Sequence, residues 1–137
     1  MVIYADNAAT TQLDTDAFEA MKPFLLENYA NPSGAYSYSK KAKQAIKAAR
    51  KTIAECINAE PEQIYFTSGG TESDNWAIKG FALSDYDYKA VITSQIEHHA
   101  ILNSCYDIER LKHPVAYLPV DCKGVVATDT LNRYISD

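Results

Sequence analysis

Between residues 39 and 58, Ala42, Ala45, Ile46, Ala49, Ile53, Cys56 and Ile57 recur at a 3.6-residue period, which predicts one long helix. The small alanines on that stripe imply close packing against another element. Upstream, Phe18, Met21 and Leu25 mark a first helix over 14–29, with Pro23 expected to kink it or set its boundary. Asn31-Pro32-Ser33-Gly34 between them is rich in helix breakers and reads as a loop. After residue 58 the pattern alternates. Residues 63–66 read as strand, 73–83 as helix, 90–94 as strand, 99–112 as helix and 115–119 as strand. In 99–112, Ile101, Cys105, Ile108 and Leu111 or Lys112 keep the helical period. Asp121-Cys122-Lys123-Gly124 then forms a turn, and a last helix with Leu131 and Ile135 follows Thr128 as N-cap. Strands alternating with helices predict an α/β fold with a mainly parallel, doubly covered sheet.

Composition narrows the class without naming a function. A chain of 137 residues with 47% hydrophobic content can form one core, so one domain over 1–137 is the expectation. Its net charge of −5 gives no electrostatic footprint for nucleic acid or an anionic membrane. Lys40, Lys43, Lys47, Arg50 and Lys51 cluster, which reads as the solvated side of a helix. No apolar run reaches the length of a membrane span, and the first residues lack the pattern of a signal peptide. Three cysteines at unrelated spacings argue against a disulfide framework and suit a reducing, cytoplasmic setting.

Candidate chemistry concentrates in Thr67-Ser68-Gly69-Gly70-Thr71-Glu72-Ser73-Asp74-Asn75. The order strand, glycines, helix start exposes unpaired N–H groups to an anion, and the helix dipole favours a phosphate there. The plain alternative is that Thr71 N-caps a helix whose dipole Glu72 and Asp74 complement. Both acids must turn away from any phosphate. His98, at the start of a helix after the strand 90–94, can stack on a cofactor ring or move a proton. Its alternative role is a helix-start imidazole bonded to backbone or water. His99 is expected to be structural or exposed. A metal site is not expected: His98 and Cys105 lie about 10 Å apart along a helix, and no paired ligand motif occurs. Cys56 and Cys105 fall on apolar stripes and read as buried hydrophobes, whereas Cys122 reads as exposed in its turn.

Four segments taken together, Tyr4-Ala5-Asp6-Asn7-Ala8-Ala9-Thr10-Thr11, Asn31-Pro32-Ser33-Gly34, the Gly69-Gly70 loop and Glu97-His98-His99-Ala100-Ile101-Leu102, resemble the cysteine desulfurases. These are pyridoxal-phosphate enzymes of the class V aminotransferase group, several hundred residues long. The resemblance runs from about Ile3 to the last residue and covers what looks like their N-terminal third. It implies an N-terminal arm followed by the first part of a three-layer fold-type I large domain, mainly parallel and incomplete. In that fold the strand at 63–66 belongs far from the other two. The resemblance also implies pyridoxal 5′-phosphate as cofactor, its phosphate bound by Gly70 and Thr71. His98 would stack on the ring and take part in proton transfer, and Asn7 would lie near the substrate. The implied reaction takes sulfur from L-cysteine, leaving L-alanine and an enzyme persulfide for iron–sulfur cluster assembly or tRNA thiolation. A homodimer and a scaffold or sulfur-acceptor partner go with it.

Some family features are not matched. The family usually has a serine and a histidine where this chain has Gly34 and Tyr36, and a glycine where it has Ser39. The Ser-x-His-Lys motif that carries the cofactor, the late substrate-binding arginine and the sulfur-accepting cysteine loop have no counterpart in these 137 residues. The 137 residues by themselves are therefore expected to be a truncated, inactive piece. Two alternatives remain: a selenocysteine lyase or other class V enzyme, or a non-catalytic remnant that binds a full-length desulfurase or scaffold partner.

Overall fold

The computed structural model describes residues 3–84 and 90–135. They fall into two units, Met1–Tyr65 and Phe66–Asp137.

In the first unit, α1 spans Thr15–Leu26. Asp14 caps it, its Oδ1 accepting from the N–H groups of Asp16 (2.9 Å) and Ala17 (3.1 Å). The helix continues through Pro23 and ends one turn later, where the Pro23 carbonyl accepts from Glu27 and Asn28. None of its residues is buried, and Phe18, Met21, Phe24 and Leu25 are exposed. A single 3₁₀ turn, Ser37–Ser39, leads into α2, Lys40–Cys56. This helix closes in a Schellman motif with Asn58 in the left-handed region (φ 54°). The Ala59 N–H reaches the Ala54 carbonyl at 2.9 Å. The alanine stripe differs from expectation. Only Ala42 and Ala54 are buried, while Ile46, Ile53, Ile57 and Cys56 are exposed, because no described element covers that face.

Residues 63–66 do not form a strand. Pro61–Gln63 is a 3₁₀ turn held by a reciprocal Glu60–Gln63 capping box. The chain is extended at Ile64, but its carbonyl accepts from Arg50 Nε at 2.9 Å. That bond is not part of a β-ladder, and among the described residues the sheet holds two other strands. Arg50 is accordingly half-buried and structural, unlike the exposed lysines around it.

The second unit begins with α3, Gly70–Ala82, followed by β1, Val91–Ser94. Next come α4, His99–Arg110, β2, Val115–Leu118, and α5, Thr128–Ile135. β1 and β2 pair in parallel, Val91 opposite Val115 through Ser94 opposite Leu118. α4 is the crossover that a parallel pair requires. Its buried residues, Ala100, Ser104, Cys105 and Ile108, form one face, and together with Ala82 and Leu118 they make the core. The Ser104 hydroxyl satisfies itself on the Ala100 carbonyl at 2.7 Å. α4 also ends in a Schellman motif, here with Lys112 at φ 67° and the His113 N–H bonded to the Ile108 carbonyl. Leu111 lies outside the buried face and is exposed. In the turn before α5, Asp121 Oδ1 accepts from Lys123 N–H (2.8 Å) and Val125 N–H (2.9 Å), and Gly124 takes φ +80°. Those bonds, Val125 first, hold the Asp121 carboxyl below the usual range. Thr128 is the first helical residue rather than the cap, since the opening carbonyl is that of Ala127.

Candidate functional site

The loop 67–69 and the first turn of α3 form a tied structure. The Thr67 hydroxyl lies 2.7 Å from the Ser73 hydroxyl, and the Ser73 N–H reaches the Gly69 carbonyl. Across the loop, the Glu72 carboxylate accepts from the Ser68 N–H at 2.6 Å and from the Ser68 hydroxyl at 2.8 Å. These two bonds, the backbone one first, hold the Glu72 carboxyl below the ordinary range. Thr67, Ser68 and Ser73 were not singled out from sequence. Their signal was the four-residue spacing from Ser68 to Glu72 on a helix start, which brings the two side chains together.

Helix α3 starts at Gly70, three residues earlier than the apolar period suggests, and the cap position is Gly69. Thr71 is therefore inside the first turn and is not the cap. Gly69 offers no side-chain cap, so the N–H groups of Gly70 and Thr71 carry no hydrogen bond among the described residues. A Cβ built on either Gly69 or Gly70 meets nothing within 4 Å. The glycines are thus not required by neighbouring protein atoms. They leave space at two side-chain positions beside two N–H groups that carry no bond among the described residues, at the positive end of a helix dipole that favours an anion. Glu72 is the nearby opposing charge, and its bonds to Ser68 fix where that charge sits.

His98 is the N-cap of α4, its Nδ1 accepting from the Ala100 N–H at 3.1 Å. With Nδ1 as acceptor, the neutral ring carries its proton on Nε2. The ring is exposed, and that of the likewise exposed His99 lies 6.3 Å away, tilted by 53°. Glu97 is half-buried and accepts from the Ser94 hydroxyl at 2.8 Å, which ties the entry of α4 to the end of β1. Beside that bond lies an open cavity of about 480 Å³, lined by Ser94, Glu97, Ile101, Leu118 and Leu131 among others.

Helices α3 and α4, with the free donors of Gly70 and Thr71 at one N-terminus and His98 at the other, pack against each other. Lys79 of α3 bridges to Asp107 of α4 at 2.6 Å, and this bond holds the Asp107 carboxyl below its usual range. Asn7, the fourth candidate, lies in the first unit, in a turn closed by the Ala9 and Thr10 N–H groups on the Asp6 carbonyl. Cys105 is buried, and burial, with Glu97 and Glu109 adding, pushes its thiol up, so it is inert. Cys122 is exposed; Cys56, expected to be buried, is exposed on the uncovered side of α2. Among the described residues no group of three His, Cys, Asp or Glu side chains could hold a metal ion, and no helix is long and apolar enough to cross a membrane.

The aminotransferase class-V family profile matches residues 3–137. A cysteine desulfurase IscS from Methanosarcina thermophila is 51% identical over 136 residues, covering 98% of this chain and 34% of that protein. Another from Dictyoglomus turgidum is 49% identical over 133 residues, 96% of this chain and 34% of the relative. Among solved structures, a NifS-like protein superposes with a TM-score of 0.89 at 36% identity, covering 97% of this chain and 37% of that one. SspA in complex with cysteine gives 0.85 at 39% identity, covering 95% and 38%. The chain spans about a third of the length of these relatives. Its fold is the corresponding part of a fold-type I pyridoxal-phosphate enzyme, an incomplete α/β domain.

Proposed function

From the premise that this chain belongs to the class-V aminotransferase family, we propose that it is the N-terminal part of a cysteine desulfurase dependent on pyridoxal 5′-phosphate. The observation that carries the reading is the uncapped start of α3, where two N–H groups that carry no bond among the described residues lie beside two glycines with open side-chain positions. The phosphate end of the cofactor fits it. Gly70 and Thr71 would hold the phosphate through backbone N–H groups and the Thr71 hydroxyl. His98 would take the ring, with Nδ1 kept by the Ala100 N–H and Nε2 left to move a proton. When bound, the cofactor supplies an electron sink for bonds at the substrate's α-carbon. Asn7 belongs to the substrate side.

The whole protein would convert L-cysteine to L-alanine and pass the sulfur as an enzyme persulfide to an iron–sulfur scaffold or a tRNA-thiolation acceptor. A homodimer in the cytoplasm completes the reading, with residues 1–137 as arm and first part of the large domain. The lysine that carries the cofactor and the sulfur-accepting cysteine lie outside the motifs found here, so the 137 residues alone are inactive.

Two experiments test this. The full protein, incubated with L-cysteine, yields alanine and persulfide sulfur in equal amounts; turnover of selenocysteine alone would favour a lyase instead. The 137-residue chain, mixed with pyridoxal 5′-phosphate and reduced with borohydride, gains no stoichiometric mass at one lysine. A specific adduct would overturn the claim that this part is catalytically incomplete.

A further inference from the structure

Gly34, Tyr36 and Ser39 meet at one crowded point. Ser39 is 1% exposed, and its hydroxyl has no hydrogen-bond partner. It sits so close to Gly34 that a Cβ at position 34 would collide with Ser39 Oγ. The same Cβ would lie 2.7 and 2.8 Å from two ring carbons of Tyr36. Real Cβ contacts are not that short, so any side chain at 34 must displace both neighbours. They differ in how easily they yield. The Tyr36 ring is 56% exposed and can swing outward, whereas Ser39 is enclosed, so its hydroxyl has no solvent to move into. Backbone conformation does not demand glycine here, since the only described glycine in the left-handed region is Gly124. Position 34 is glycine for space alone.

We infer that Gly34 and Ser39 are a matched pair: the missing side chain at 34 makes the volume that the Ser39 side chain fills. The two positions can exchange bulk only together, so a side chain at 34 requires the Ser39 hydroxyl to go. Gly34 also positions Tyr36, whose ring rests against the bare Cα, and this second contact is independent of residue 39. The unpartnered Ser39 hydroxyl marks the interaction as one of volume and not of hydrogen bonding. The pairing goes beyond the proposed activity and does not depend on it.

The test is a double-mutant cycle in the full protein with a fluorinated tyrosine at position 36. Gly34→Ala lowers Tm by several degrees, and Gly34→Ala with Ser39→Gly recovers most of that loss. Should Gly34→Ala prove insoluble, recovery of soluble protein in the double variant is the equivalent result. Ser39→Ala removes Oγ, the atom that meets position 34, so Gly34→Ala combined with Ser39→Ala also recovers most of the loss. The fluorine resonance of Tyr36 shifts in every variant that carries Gly34→Ala, because that contact belongs to position 34. Losses at 34 and 39 that simply add would overturn the pairing, as would failure of Ser39→Ala to relieve Gly34→Ala. Return of the Tyr36 resonance on adding Ser39→Gly would overturn the independence of the two contacts.

Discussion

Substituting Gly70 by alanine separates folding from anion binding, because the structure predicts opposite signs for the two. A methyl at position 70 meets no protein atom within 4 Å, so it introduces no clash. Gly70 is already helical, and exchanging glycine for alanine at a compatible site stabilises by about 0.4–1 kcal/mol, mainly by restricting the unfolded chain. The same methyl leans towards the helix N-terminus, as every helical Cβ does, and so enters the space an anion would fill. Losing one hydrogen bond to a charged group costs about 1.5–3 kcal/mol. That corresponds to roughly 10- to 100-fold weaker phosphate binding. Urea denaturation of the full protein measures the first effect. Titration calorimetry with inorganic phosphate and with pyridoxal 5′-phosphate measures the second. Gly80→Ala serves as control: its Cβ meets only the Trp76 side chain at 3.4 Å, so it stabilises α3 without touching the loop. Undiminished phosphate affinity in Gly70→Ala would refute the anion site, and a drop in stability would refute the claim of open space.

Other substitutions probe the remaining elements. Ile108→Ala empties a fully buried position on α4 and lowers unfolding free energy by about 2–5 kcal/mol, read from the urea midpoint. His98→Ala removes the acceptor for the Ala100 N–H and costs about 0.5–2 kcal/mol of stability. His98→Asn keeps a cap and so preserves stability while abolishing ring stacking, which the cofactor absorption band reports. Lys112→Gly relieves a left-handed lysine, and after glycine's extra chain entropy the net gain is on the order of 0.5 kcal/mol. The Glu72 clasp depends on pH with a defined sign. Its folded pKa lies below the ordinary 4.5, so its contribution is complete above that value and disappears as pH falls through the folded pKa. The Ser68 amide proton, followed by NMR, should titrate with Glu72; an invariant shift would remove the clasp.

Helix α4 was readable because its stripe records burial directly, with Cys105 and Ile108 fully enclosed. What escaped the sequence was governed by partners. Residues 63–66 have the apolar character of a strand, but a strand exists only in a ladder, and Arg50 takes the Ile64 carbonyl instead. The alanines of α2 have the pattern of a packed face, yet nothing described covers it, so Cys56 stays exposed. The end of α4 was blurred for a local reason: Lys112 adopts a left-handed conformation usually given to glycine or asparagine, and lysine does not signal this by type. Among the candidates, Gly70 stood out from the strand–glycine–helix order and His98 through the family resemblance. The ties made by Thr67, Ser68 and Ser73 did not, because serine and threonine at a helix start usually signal a cap.

Those ties change what ligand binding has to accomplish. Fixing one residue's backbone costs about 1–2 kcal/mol of conformational free energy, and the segment from Thr67 to Ser73 has already lost that freedom on folding. Its hydroxyls and the Glu72 carboxylate tie the turn through bonds made within the protein. A phosphate bound as proposed would meet a turn already tied and would need little loop ordering before its bonds form. Its affinity would then reflect charge and hydrogen bonding more than ordering, and its association would be limited by diffusion and salt, not by a conformational step.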